Sequence, residues 1–216
     1  MVEAYIFDFD GVLVDTVNLH FKSWQKLSHS LGHNLPAEME DKFRGASRDK
    51  SLQLVLDKIN ISATQHEKIT FLKQKNDWFT QSLNDISEDI LLPGSKELLL
   101  ELKHKNLKIG LASASKNAVN IINRLKLGKY FDVMVDGNEV IKSKPHPEVF
   151  LKVADKLGCK PENCIVFEDS PLGVEAAAKG GFRVIGVGNH TVLKNTDSNI
   201  ADLSQFKLSM FSTFDE

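Results

Sequence analysis

Residues Ala4-Tyr5-Ile6-Phe7-Asp8-Phe9-Asp10-Gly11 restrict what this chain can become more than any other stretch. Tyr5 to Phe9 is a short apolar run rich in β-formers, which reads as a buried strand. Two aspartates lie at its carboxyl end, followed by a Gly that lets the backbone turn sharply. Open α/β sheets carry their chemistry just past the carboxyl ends of strands, so an acidic site is expected here. Along an extended strand the Cα atoms of Asp8 and Asp10 lie at most about 6.6 Å apart, with both side chains on one face. Magnesium takes oxygens at about 2.0–2.1 Å in octahedral geometry. Two arrangements satisfy this spacing. Both carboxylates can lean onto one ion, or Asp8 can ligate by side chain and Asp10 by backbone carbonyl, freeing the Asp10 carboxylate for proton transfer. Asp-Gly is also ordinary turn chemistry, so the pair alone does not establish a site.

After Thr16 the periodicity is helical for about 70 residues. Leu19, Trp24, Leu27 and Leu31 predict a helix up to Gly32, and Pro36 opens a short one that ends at Arg44-Gly45. Ser47 has cap chemistry for a helix over 48–59, and 62–83 reads as a longer helix with Ile69, Phe71, Leu72, Trp78 and Phe79 on its apolar face. At Pro93-Gly94 the pattern changes. Helices now alternate with short apolar runs at 107–113, 131–135, 165–167 and 182–187, with helices expected at 118–125, 148–157 and 174–179. Such alternation implies right-handed βαβ units and a parallel sheet. By pattern the first strand belongs to that sheet. The expected fold is therefore α/β, a Rossmann-like parallel-sheet core (1–16 and 93–216) with an inserted all-helical cap domain (17–92).

With 216 residues the chain is long enough for a sizeable core. Its net charge of −2 offers no global attraction to nucleic acid or an anionic membrane, so an anionic substrate must be held by a local cluster of Lys and Arg. No apolar run approaches the roughly 20 residues of a membrane span, and no basic-then-apolar signal precedes Asp8, so a cytoplasmic protein is expected. Cys159 and Cys164 have neither zinc-site company nor redox-motif spacing and read as ordinary thiols. Gly186-Val187-Gly188 lacks the third Gly of a dinucleotide loop, and no phosphate-binding Gly-rich loop ending in Lys-Ser/Thr is present.

Four apolar runs end in useful groups: Asp8 and Asp10, then Ser113, then the loop before Lys144-Pro145, then Glu168-Asp169. Their order resembles the four motifs of the haloacid dehalogenase superfamily of phosphoryl-transfer enzymes, and the likeness covers nearly the whole chain. Within it, Thr16, His20, Trp24, Gly45-Ala46-Ser47-Arg48, Lys75-Asn76-Asp77 and Ser113-Ala114-Ser115-Lys116-Asn117 are most similar to the sugar-phosphate mutases. Those enzymes interconvert β-glucose 1-phosphate and glucose 6-phosphate.

The resemblance implies Asp8 as nucleophile and Asp10 as general acid and base. It implies catalytic roles for Thr16, Ser113 and Lys144, and Mg2+ held by Asp8, Asp10, Glu168 and Asp169. Substrate contacts fall to His20, Trp24, Arg44, Gly45, Arg48, Lys75, Ala114, Ser115, Lys116 and Asn117. The priming intermediate would be β-glucose 1,6-bisphosphate, and the partners small sugar phosphates acting on a monomer. Phosphoryl transfer spreads negative charge over three oxygens, so catalysis is mainly positioning plus positive charge, which the implied Mg2+ and Lys144 would supply. An unperturbed Asp is too acidic to donate a proton well at pH 7, so closure of the site is expected to raise the pKa of Asp10. A second phosphate needs its own clamp, for which Arg48 is the candidate, aided by Arg44 or Lys116. Arg44 stands where relatives carry Lys, keeping charge but changing hydrogen-bond geometry. A sugar-phosphate phosphatase on the same machinery is the alternative activity. A non-catalytic descendant of such an enzyme is disfavoured by the intact set of polar groups.

Overall fold

In a computed structural model, residues 2–188 and 193–210 are described. Positions 189–192 and 211–216 of the expected core domain lie outside the described residues. Strand β1 (Ala4–Phe7) is followed by α1 (Val17–Ser30), a 3-10 helix (Ala37–Phe43), α2 (Arg48–Lys58) and α3 (Gln65–Ser82). Beyond Pro93-Gly94 come α4 (Ser95–His104), β2 (Lys108–Ala112), α5 (Ala118–Arg124), β3 (Val133–Val135) and α6 (Glu148–Leu157). The chain ends its described part with β4 (Cys164–Glu168), α7 (Pro171–Lys179), β5 (Arg183–Val187) and β6 (Ser198–Ile200).

All six strands run parallel, in the order β3-β2-β1-β4-β5-β6. As expected, β1 joins the later sheet, and it lies at its centre between β2 and β4. Every residue of β1 and β4 is buried, as in a sheet covered on both faces. One face packs Phe7, Leu111 and Phe167 with Leu99 and Leu102 of α4 and Ile121 and Ile122 of α5. The other packs Ile6 and Val166 with Phe150 and Val153 of α6 and Ala176 and Ala177 of α7. The connections leave β1 in opposite directions along the sheet, which opens a crevice at the carboxyl ends of the central strands.

The helices between β1 and β2 have an apolar cluster of their own: Phe21, Trp24 and Leu27 of α1 meet Phe43 and Leu52, Val55 and Leu56 of α2. Two chain crossings join this block to the sheet, and they bond each other. Val14 bridges Leu91, and Leu92 N–H donates to the Leu13 carbonyl at 3.0 Å.

Several expectations need correction. Helix α3 starts three residues later than expected, at Gln65, because Thr64 and Glu67 form a reciprocal capping box there. Ile69 is 58% exposed rather than packed, and Phe79 leaves the helical cluster to join the apolar face of the sheet. Helix α7 begins at Pro171, earlier than apolar spacing indicates, since Ser170 caps it by accepting from Gly173 N–H at 3.1 Å. Both cysteines are buried and free.

Candidate active site

The carboxyl ends of β1, β2 and β4 and the loop after β3 converge on one cluster of charge. Asp8 follows β1 directly, and its N–H is tied to the Phe167 carbonyl of β4 at 2.9 Å. Lys144 lies in the loop after β3, is 1% exposed at its side chain, and donates to Asp8 Oδ1 at 2.7 Å and to Glu168 Oε1. The second oxygen of Glu168 accepts from Ser170 N–H at 2.7 Å and Ser170 Oγ at 2.9 Å. Glu168 thus has both oxygens engaged, anchoring Lys144 and the turn into α7. Asp169 presents Oδ2 to Arg44 Nη1 at 2.8 Å, while its Oδ1 is buried without a hydrogen-bond partner.

Oxygens of Asp8, Glu168 and Asp169 lie within 4.8 Å of one another. Burial raises the Asp8 carboxyl well above its usual range; Lys144 opposes this, and Glu168, Asp169 and Asp10 add to it. Burial likewise pushes Asp169 up to about 7, with Glu168 adding to it and Arg44 opposing. An all-oxygen donor set, an excess of carboxylates and one orphaned buried oxygen fit a hard divalent cation.

Asp10 points elsewhere. Thr16 Oγ1 donates to Asp10 Oδ1, and His20 Nε2 lies 3.6 Å from the same oxygen. Its carboxylate is therefore not part of the acidic cluster. The expectation of a raised pKa also fails here: burial pushes the carboxyl up, but His20 and Thr16 outweigh it and hold it below the usual value. His20 is stacked on Phe79 with ring centroids 3.8 Å apart, and its Nδ1 lies 2.8 Å from Lys75 Nζ. Burial and the Lys75 charge drop the imidazole to about 4, so it stays neutral.

Lys75 is buried over the faces of Trp24 (4.9 Å) and Phe79 (4.6 Å), and burial with the nearby Arg48 charge lowers it to about 7. A lysine whose folded pKa lies below its unfolded value of about 10.4 stabilises least at low pH, because folding must strip a proton or bury a charge. Stability should therefore rise between about pH 7 and pH 10. Lys75→Met is expected to flatten that rise and to raise stability at pH 7 by on the order of 1 kcal/mol. Urea denaturation across that pH range checks this, and parallel curves for the two proteins would refute the buried charge.

These groups meet at a cavity of about 70 Å3, room for roughly five waters. Asp8, Asp10 and Lys144 line it from the sheet. His20, Trp24, Arg44, Gly45, Arg48 and Lys75 line it from the helical block, and Ala114, Ser115 and Lys116 from the loop after β2. Trp24 is 2% exposed, so it is core and cavity wall at once. Ser113 and Thr16 are fully buried beside the cavity, and Ser113 Oγ accepts from Ser115 N–H at 3.0 Å. Asn117 stands behind the wall, where its side chain donates to Asn76 of α3 at 3.0 Å. Arg48 is half-buried and has no ion-pair partner among the described residues.

The 44–50 loop sits hard on the sheet. Gly45 has φ +67°, and a Cβ there would meet Ser170 Oγ at 2.2 Å, so this residue must be Gly twice over. Sequence reading missed Val17, Phe43 and Ser51 on the cavity wall. Ser51 lies three residues after Arg48 on α2, a spacing that could have found it. Ser170 and Lys50 carried no signal of their own.

Residues 5–187 match the haloacid dehalogenase-like hydrolase family. A β-phosphoglucomutase of Bacillus subtilis is 33% identical over 97% of this chain and 93% of that protein. A phosphorylated carbohydrates phosphatase of Thermotoga maritima is 35% identical over 86% and 85%. The solved structure of a β-phosphoglucomutase from Clostridium difficile superposes with a TM-score of 0.93 at 37% identity, covering 97% of this chain and 95% of that one. With its parallel sheet, its acidic strand ends and a buried lysine between them, the chain is an enzyme fold of the haloacid dehalogenase-like hydrolase family and belongs to it.

Proposed function

We propose that this protein is a magnesium-dependent β-phosphoglucomutase, with residues 1–16 and 93–216 as catalytic core and 17–92 as a cap that closes over it. The observation that carries the mutase reading is Arg48, a cation without an ion-pair partner among the described residues, on the cap side of the cavity. A phosphatase needs one phosphate site, whereas a mutase working through a bisphosphate needs a second.

Asp8 is the nucleophile. One of its oxygens forms a bond to phosphorus as the bond from phosphorus to the sugar oxygen breaks, leaving an aspartyl-phosphate. Mg2+ held by Asp8, the Asp10 carbonyl and Asp169 would keep Asp8 ionised and offset repulsion between its carboxylate and the incoming phosphoryl oxygens. Lys144 orients Asp8 and neutralises transferred oxygens, and the Ser113 hydroxyl can donate to them. Glu168 serves by holding Lys144. Asp10, kept ionised by Thr16 and His20, suits the half of the cycle in which a sugar hydroxyl must lose its proton; it returns that proton in the other half. Arg48 clamps the phosphate that is not reacting, with a planar fork suited to two oxygens.

The likeness to the Thermotoga maritima phosphatase favours a second reading, in which water takes the place of the sugar hydroxyl. Glucose 6-phosphate and inorganic phosphate should be followed together, from β-glucose 1-phosphate with Mg2+ and a trace of glucose 1,6-bisphosphate. Isomerisation with little phosphate release is expected. Phosphate release without glucose 6-phosphate would establish the phosphatase. Arg48→Ala is expected to lower isomerisation roughly 100-fold, the scale of a lost charge-assisted clamp, and to change phosphate release far less. Equal losses in both reactions would remove Arg48 from the clamp.

A further inference from the structure

Arg44 connects the two halves of the site. Its Nη1 donates to Asp169 Oδ2 at 2.8 Å, across the gap between the helical block and the sheet. The first turn of α2, which follows, sends Lys50 Nζ to the Lys144 carbonyl at 2.7 Å, and the turn before it presses Gly45 against Ser170. Asp169 is 4% exposed at its side chain, and its other oxygen, Oδ1, is buried without a partner. The cluster brings three carboxylates, Asp8, Glu168 and Asp169, against one lysine. Arg44 therefore supplies a second positive charge that these carboxylates would otherwise lack.

We propose that Arg44 is the internal counter-cation of the acidic cluster, so that seating of the 44–50 loop on Asp169 and binding of a divalent cation oppose each other. This rests on the reading of Asp8 and Asp169 as ligands of the metal, with Glu168 beside them holding Lys144. A guanidinium on one oxygen of Asp169 and a divalent ion on the other draw on the same negative charge and repel each other through the carboxylate. Each must weaken the other by the same factor, because coupling between two equilibria is reciprocal. Without metal, Arg44 fastens the loop down through a charge-assisted bond. When metal binds, that bond loses strength and the loop is freed to lift and admit a substrate.

Two measurements on the full-length protein test this. Calorimetric titration with Mg2+ should give about tenfold tighter binding for Arg44→Gln and Arg44→Ala than for the parent, within the usual range of such coupling. The Gln variant keeps the side chain's bulk and hydrogen-bonding capacity, so agreement between the two assigns the effect to charge. Hydrogen exchange of the peptide covering 44–50 should quicken severalfold when Mg2+ is added to the parent, and respond much less in either variant. Unchanged or weaker Mg2+ binding in both variants, or loop exchange indifferent to Mg2+ in the parent, would overturn the proposal. Asp169→Asn separates this from failure of the site itself: it should weaken Mg2+ binding in the parent and in the Arg44→Gln background alike. Full Mg2+ affinity in Asp169→Asn would overturn the metal-site reading, and the role of Arg44 with it.

Discussion

Replacing Asp8 with Asn is expected to leave a folded protein whose turnover falls by on the order of 10^4–10^6-fold, the scale seen when an enzymatic nucleophile is removed. The amide oxygen can still accept from Lys144, so the hydrogen bond at 2.7 Å has a partner in the variant. The amide cannot carry a phosphoryl group through an ester-like linkage, which is the step the reaction requires. Folding should survive because ionised Asp8 is disfavoured: burial raises its pKa, and the attraction of Lys144 does not fully compensate. A neutral isostere removes that cost, so in chelator the variant should melt no lower than the parent. Intact-mass spectrometry after mixing with a sugar bisphosphate should find a phosphorylated parent and an unmodified variant. Turnover within tenfold of the parent would move the nucleophile elsewhere, and Asp10 would be tested next.

How much of this was legible in the sequence depended on the range of the interaction involved. Short-range signals carried well. The run Tyr5 to Phe9 read as a buried strand because a strand covered on both faces leaves an unbroken apolar stretch. Ser47 announced the start of α2, and its side chain caps Lys50 N–H. Asp8, Ser113 and Asp169 stood out because each follows an apolar run at a strand end, and Lys144 because it precedes Pro145 in the loop after such a run.

Long-range choices did not carry. Asp10 and Asp169 are both acidic residues beside a turn, yet one is taken by Thr16 and His20 and the other by Arg44, 125 positions away. Phe79 reads as one more apolar residue on α3, and only the tertiary fold sends it to the sheet face beneath His20. The pKa of Asp10 shows the same limit. Closure of the site could be anticipated, but its effect depended on whether hydrogen-bond donors outweighed burial, which spacing along a chain does not encode.

Lys144→Met is expected to be the most destabilising single change at the site, and increasingly so as pH rises. Lys144 is fully buried between Asp8 and Glu168 and also lies 5.1 Å from the Phe150 ring centroid. Met keeps the apolar stem, so the variant removes charge while leaving little cavity. Breaking one side of a buried ion group costs about 3–5 kcal/mol, because the remaining charges have no counterpart. In chelator, at about 200 residues, that corresponds to a fall in Tm of roughly 10 °C. The direction with pH follows from which groups are left. Burial already raises Asp8 above its unfolded value of about 4, and without the opposing charge of Lys144 it should rise further. Such a group leaves stability intact below about pH 4 and drains it as pH climbs towards the raised folded value. The gap between variant and parent should therefore be small near pH 4.5 and largest at pH 7 to 8. Saturating Mg2+ should narrow it by neutralising the same carboxylates, provided the variant still binds the ion. Turnover should fall by about 100-fold or more even where the variant is fully folded, since a donor to the transferred oxygens is gone. A variant that melts with the parent at every pH would show that the acidic cluster does not depend on Lys144 for its stability. The picture of a site held together by one buried cation would then have to be abandoned.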